Sequence, residues 1–359
     1  MSRGPEAIVA GAGALGLSTA LTLAQAGWRV SVWDPTDAPN ASAVAAGMLA
    51  PVFEAALDAE TAGDLDLLLA ARDLWPGLAQ RTGVALDRSG TVAVGSESWL
   101  AEVQAKLIAL GLRAAELPRP MLEDLAPGIA PGLRGSLVRE DWRLEPGPAL
   151  RALRRAAEAA GVVFRREAVR GRGEADWLVV ATGAGQSLAD LAPELRRLTP
   201  IKGQILRFPG RAGGRFSLRG EGAYAVPGVD GLAIGATMEP GVSDTAIDQA
   251  ALKPLAKAGA GLFPDLEGAA FTAAAGVRAA TPDGLPMVGL SETPGVVLAV
   301  GARRNGWLLA PLVAEVATAC VTGRDPGPYA RRLDPGRFAR GRFAGDRFAG
   351  DRFGAGTAR

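Results

Sequence analysis

The 359-residue chain is 48% hydrophobic, enough for a large buried core and more than one lobe. Its net charge of +1 provides no global field to attract nucleic acid or an anionic membrane, even though 35 of the 39 basic residues are arginine; only Lys106, Lys202, Lys253 and Lys257 are lysine. There is no histidine and one cysteine, Cys320, which excludes Ser-His-Asp and Cys-His nucleophilic catalysis, His-ligated metal centres and an intrachain disulfide.

Chemistry must therefore come from carboxylates, arginine, tyrosine or a borrowed cofactor; no metal site is expected. The lone thiol fits a cytoplasmic location. No membrane span is expected, because the apolar stretch from Trp307 to Val321 is short and carries Pro311 and Glu315.

In chain order, Ala7 to Ala10 reads as a strand, followed by Gly11-Ala-Gly-Ala-Leu-Gly16. Leu17 to Ala26 then reads as a helix, Gly27 ends it, and Arg29 to Trp33 reads as a second strand closed by Asp34. The glycines embedded in this run argue against a signal peptide. Helical pattern returns from about Glu60 to Gln80, strand pattern from Gly90 to Val94, and helix again from about Trp99 to Leu110.

A Pro-rich connection reaches Leu144. Beyond it a helix from Pro148 to Ala160 and strands at Val162 to Phe164 and Trp177 to Ala181 restore parallel α/β character. Ile201 to Gly235 reads as antiparallel sheet carrying Tyr224 and Ile234, and Thr245 to Leu262 as a helix. The strand Val296 to Val300 leads into a last helix, Gly306 to Val321. Arg-Phe then recurs at positions 337, 342, 347 and 352, a five-residue period that suits neither helix nor strand, so residues 331–359 are expected to be a disordered tail.

The strand, glycine turn, helix and strand together make a dinucleotide fingerprint. Gly11 permits the tight turn, Gly13 the approach of backbone to a diphosphate, and Gly16 close packing of helix on sheet; the helix N-terminus favours the anion. Asp34 is placed to hold the adenosine ribose and would repel a 2′-phosphate.

Six later segments resemble the amine-oxidising flavoprotein family that includes D-amino acid oxidase, sarcosine oxidase and glycine oxidase. They are Ala45-Ala-Gly-Met-Leu-Ala-Pro51, Pro200-Ile-Lys-Gly-Gln204, Tyr224-Ala-Val-Pro227, Gly235-Ala-Thr-Met238, Gly276-Val-Arg-Ala-Ala-Thr-Pro-Asp-Gly284 and Arg304-Asn-Gly-Trp-Leu-Leu-Ala-Pro311. The resemblance runs from about Ala7 to Gly323.

The resemblance implies a Rossmann-like α/β domain binding FAD non-covalently, from residues 1–85, 145–200 and 271–330. Into it is inserted an antiparallel-sheet substrate domain, residues 86–144 and 201–270. The cofactor contacts implied are Gly11, Gly13, Ala14, Leu15, Gly16, Asp34, Pro35, Ala41, Ser42, Ala46, Gly47, Met48, Val169, Thr182, Gly183, Ala302, Arg303, Arg304, Asn305, Gly306, Trp307 and Leu308. Arg278, Arg304, Tyr224 and Met238 are the implied substrate residues, since a guanidinium grips a planar carboxylate with two parallel hydrogen bonds and a phenol can add a third.

A small amino acid, with glycine favoured, would lose hydride from its Cα to the flavin and O2 would be the final acceptor; in thiamin biosynthesis the imine would be the useful product. A quinone or electron carrier in place of O2, a modified RNA base as substrate, or a non-catalytic FAD-binding role stay open as alternatives, as does homo-oligomerisation. One departure stands out: Ala302 and Arg303 occupy the place of a His-aromatic pair usual in glycine oxidases. Cys320 lies inside the last helix, away from the flavin turn, so no covalent flavin link is expected.

Overall fold

Ala7 to Ala10 is apolar on both faces and buried, as a central parallel strand requires. In the computed structural model, which describes residues 4–36 and 39–338, the strand Glu6–Ala10 occupies the middle of a six-stranded sheet. The order across that sheet is Met287–Leu290, Val296–Val300, Trp177–Val180, Glu6–Ala10, Arg29–Trp33 and Val163–Arg165. All neighbours are parallel except Met287–Leu290, which pairs antiparallel with Val296–Val300. The helices Ala14–Gln25 and Gly306–Thr322 pack together over the sheet, and their apolar residues share its core with Trp75, Leu67 and Leu68. The chain is a mixed α/β protein with a parallel, dinucleotide-binding sheet.

A second, nine-stranded sheet is centred on Thr199–Phe208. One edge of that strand carries Gly231–Gly235 and the short Glu239–Pro240. Its other edge carries Thr272–Ala280 over its length, in the register Gly203 opposite Gly276 and Ile201 opposite Arg278. Tyr224–Gly228, Ser217–Gly220, Thr91–Gly95, Arg134–Val138 and Ala115–Leu117 extend the sheet outward. A small sheet of Met48–Leu49, Trp142–Leu144 and Leu86–Asp87 completes the architecture.

Several expectations change. The helix expected over residues 60–80 is two, Leu65–Asp73 and Trp75–Thr82, because Pro76 can only sit in a first turn. The helix expected from Thr245 starts at Gln249, where the Asp248 carboxylate accepts from the Ala250 and Ala251 amides. Thr272–Ala280, expected in the flavin-binding segment, is instead a strand of the second sheet.

The expected disordered tail is corrected as well, over its first eight residues. Leu333 and Phe338 are buried, and Arg337 bridges Asp283 at 2.8 Å and donates to the Leu285 carbonyl. The three later Arg-Phe pairs lie outside the described residues. Among the described residues, no helix is long and apolar enough to cross a membrane.

Candidate active site

The glycines of the first turn are held by contacts that leave no room for a side chain. Gly11 has φ 109°, and a Cβ there would sit 2.4 Å from the Ala181 carbonyl oxygen; one on Gly16 would sit 2.1 Å from that of Gly11. Asp34 closes the turn from the neighbouring strand, accepting from the Ala12 amide at 2.9 Å and the Thr36 amide at 3.1 Å. Ser42 Oγ accepts from the Ala14 amide at 3.1 Å. The N-cap residue of the helix Ala14–Gln25, Gly13, provides no cap and its first turn holds no acidic residue, so apart from the Ala14 amide held by Ser42 this helix end faces an anion openly.

A cavity of about 600 Å³ opens at this helix end. Gly11, Gly13, Ala14, Leu15, Asp34, Pro35, Ala41, Ser42, Val169, Thr182, Gly183, Ala302, Arg303 and Gly306 all line it. A second cavity, about 370 Å³, is lined by Ala46, Gly47, Met48, Arg304, Asn305 and Trp307, and by all four expected substrate residues. The two share Ala41, Ser42, Gly276, Arg278, Arg303 and Gly306, which makes them one crevice. Of the expected residues, Gly16 and Leu308 line neither cavity. Gly16 packs against the Gly11 turn, and the Leu308 side chain is fully buried in the core.

At the junction begins the helix Gly306–Thr322, whose N-terminal residue Asn305 provides no side-chain cap. Trp307 Nε1 donates to the Ser42 carbonyl at 2.9 Å, which ties this helix end to the short helix Ala41–Val44 before Ala46. Two helix N-termini whose N-cap residues provide no side-chain cap thus open into one elongated crevice, one at the dinucleotide turn and one at the junction. That arrangement fits FAD: one amide end suits the diphosphate, and the other suits the negative charge that a reduced flavin ring carries.

The floor of the smaller cavity is one face of the second sheet. Arg219, Tyr224, Gly235, Ile205 and Ala274 are successive cross-strand partners, and Gly203, Gly276 and Arg278 continue the same face. A Cβ on Gly203 would lie 2.2 Å from Arg278 Nη1, so the guanidinium rests directly over this glycine. A Cβ on Gly235 would lie 2.2 Å from the Tyr224 hydroxyl, so the phenol lies over the second hollow. Burial pushes the Tyr224 pKa up although Arg278 and Arg219 oppose it, and the phenol stays a donor.

Arg278 makes no ion pair among the described residues. Its Nη1 donates to the Thr237 carbonyl at 3.2 Å and to Met238 Sδ at 3.4 Å. Burial pulls its pKa below the ordinary arginine value, with Tyr224 opposing. A guanidinium in that state is a ready receptor for an anion.

Arg304 is differently placed from what the resemblance implies. Its Nε donates to Glu54 at 2.6 Å and its Nη2 pairs with Asp58 at 2.9 Å. Its guanidinium is engaged by these two carboxylates, whereas Arg278 has no such partner among the described residues. Arg303, at φ 48°, also pairs with Asp58. Glu54 in turn accepts from Arg219 at 2.5 Å. Burial raises the Glu54 pKa, but Arg304 and Arg219 outweigh it and hold the carboxyl below its usual range.

Beneath this cluster, the Asp141 carboxylate accepts from the Val52 and Phe53 amides at 2.8 and 3.2 Å, at the start of the helix Pro51–Leu57 that carries Glu54. Complete burial pushes Asp141 up to about 7, against those amides and Arg219. Sequence reasoning missed Glu54, Asp58, Asp141 and Arg219. The usable signal was Glu54 and Asp58 four residues apart just after the flavin loop, one helical turn of carboxylates in an otherwise apolar run.

The sequence pattern described as FAD dependent oxidoreductase matches residues 6–320. Glycine oxidase from Pseudomonas putida is 29% identical, over 90% of this chain and 98% of its own length. The tRNA 5-methylaminomethyl-2-thiouridine biosynthesis bifunctional protein of Caulobacter vibrioides is 32% identical over 92% of this chain, but over only 56% of its own. Among solved structures, glycine oxidase from Geobacillus kaustophilus superposes with a TM-score of 0.78 and 26% identity, covering 93% of this chain and 98% of that one.

Proposed function

Because the chain belongs to the FAD dependent oxidoreductase family, we propose that it oxidises the Cα–N bond of a small amino acid, glycine foremost. The observation that carries this reading is Arg278, a guanidinium without an ion pair among the described residues, lying over Gly203 on the floor of a cavity continuous with the dinucleotide crevice. FAD held in this crevice would supply a two-electron acceptor for the hydride of the Cα–H bond, with O2 as the final acceptor.

The residues orient and select. Arg278 takes the substrate carboxylate in two parallel hydrogen bonds, and the Tyr224 hydroxyl donates to the same group. Met238 walls the cavity next to Arg278. Arg303 and Arg304, fixed by Asp58 and Glu54, hold positive charge where the helix Gly306–Thr322 begins. The amine must be neutral when hydride leaves, and it loses its proton to solvent, so no histidine is needed.

With glycine the sum is glycine, O2 and water giving glyoxylate, ammonia and hydrogen peroxide; the imine precedes hydrolysis and is the species that thiamin thiazole assembly would take. Oxygen uptake, ammonia and peroxide measured together test the reading, and equal amounts of all three are expected. Ammonia released only when a quinone or dye replaces O2 would favour the dehydrogenase alternative.

A further inference from the structure

We propose that the preferred substrate carries a second carboxylate, received by Arg219; this rests on the amino-acid reading above and narrows it. Arg219 is buried to nine-tenths and lines the cavity. Its Nη2 donates to Glu54, and this is its one hydrogen bond among the described residues; Nε is buried with no hydrogen-bond partner among them. The guanidinium also lies 5.8 Å from the Tyr224 ring.

The charges around the cavity do not balance. Four guanidinium groups, of Arg219, Arg278, Arg303 and Arg304, line it. Against them stand Glu54, shared by Arg219 and Arg304, and Asp58, shared by Arg303 and Arg304. Asp141, a further carboxyl beneath the cluster, already accepts two backbone amides and is fully enclosed. Four guanidinium groups against two carboxylates leave two positive charges in excess, one on Arg278 and one spread over Arg219, Arg303 and Arg304; Tyr224 interacts with both Arg278 and Arg219. Glycine neutralises one.

The sheet sets the spacing. Arg278 reaches over Gly203 and the Tyr224 phenol over Gly235, on adjacent strands, with Arg219 beyond the phenol. Gly235 stands opposite Ile205, so Gly203 and Gly235 are diagonal neighbours about 7–8 Å apart, and with the 5.8 Å from the Tyr224 ring to Arg219 the two guanidinium groups are roughly 10–15 Å apart. That span suits two carboxylates flanking one amine, as in iminodiacetate, aspartate or glutamate. Arg278 fixes the carboxylate next to the reacting Cα, and Arg219 the distal one.

Steady-state oxidation of glycine, alanine, iminodiacetate, and both enantiomers of aspartate and glutamate by the FAD-loaded protein is the test. At least one dicarboxylic amine should exceed glycine in kcat/KM by tenfold or more. The ratio of the two values should fall at least tenfold in Arg219→Gln, and less in Arg219→Lys. Binding gives a reading independent of turnover: malonate or succinate should perturb the flavin spectrum at lower concentration than acetate, and Arg219→Lys should narrow that gap.

A parent that prefers glycine, or a ratio unmoved by either substitution, overturns the proposal and leaves the amino-acid reading standing. A parent that oxidises no amino acid, while still showing flavin absorbance, overturns both.

Discussion

Arg278 concentrates the functional reading in one side chain, and replacing it with alanine tests it cleanly because it holds no ion pair among the described residues. Loss of a charge-assisted bidentate grip should cost roughly 3 kcal/mol, on the order of a hundredfold in kcat/KM, with flavin content kept. Lysine should recover only part, since a point charge cannot reproduce the fork. Gly203→Ala is the companion variant. Its Cβ would collide with the far end of a flexible side chain, so the sheet should form while Arg278 is pushed off its seat. KM for glycine should rise with little change in thermal stability; an unaltered KM would separate Arg278 from the substrate.

Residue by residue, legibility followed sequence distance. The Gly11 to Gly16 turn, Asp34 and the Arg278 segment could be read because each sits in a local pattern. Arg219 could not. Its partner Glu54 lies 165 residues away, and only the fold makes a charged pair of them. The role expected of Arg304 was altered for the same reason, by carboxylates of the helix Pro51–Leu57.

That helix is the element on which the charge cluster depends. Glu54→Gln leaves Arg219 and Arg304 short of a counter-ion, and should lower unfolding free energy by about 3 kcal/mol in denaturant titration. Asp141, at the start of the helix, gives the opposite pH behaviour to an ordinary ion-paired carboxylate. Its folded pKa, about 7, stands above the usual 3.8. Between those values the unfolded chain has lost the proton and the folded chain keeps it, so this group's contribution to stability falls as pH rises from about 4 to about 7 and is level above. Comparing denaturation midpoints of the parent and Asp141→Asn at about pH 5 and pH 8 isolates it. The parent should lose more between the two than the variant, and parallel losses would show that Asp141 does not titrate in that range.

Strand Thr272–Ala280 shows why some elements escaped a reading from sequence. Ala273 to Ala275 have little intrinsic preference for a strand, and register with Thr199–Phe208 decides the matter. The parallel strands, by contrast, announce themselves as short apolar runs between glycines.

At the scale of the molecule, two sheets meet at one crevice, and its dinucleotide end was far more legible than the substrate end. The C-terminal turn reaches back to this body through Arg337 and Asp283, both largely buried. Truncation after Leu333 should therefore lower Tm by several degrees, whereas truncation after Phe338 preserves every contact described; equal Tm values for the two would show that the Arg337 bridge contributes nothing. Acid precipitation should release all flavin to the supernatant, since Cys320 lies in the helix Gly306–Thr322 and lines neither cavity. Flavin retained in the pellet would mean a covalent link elsewhere.

The central claim is that this crevice oxidises an amine held by its carboxylate. Anaerobic mixing of the purified, FAD-loaded protein with amino acids and with matched amines lacking the carboxylate, followed by flavin absorbance, tests it most directly. The account predicts rapid bleaching by amino acids and a rate at least a hundredfold lower with methylamine or ethylamine. Equal bleaching by the carboxylate-free amines, or none by any amino acid, would contradict it.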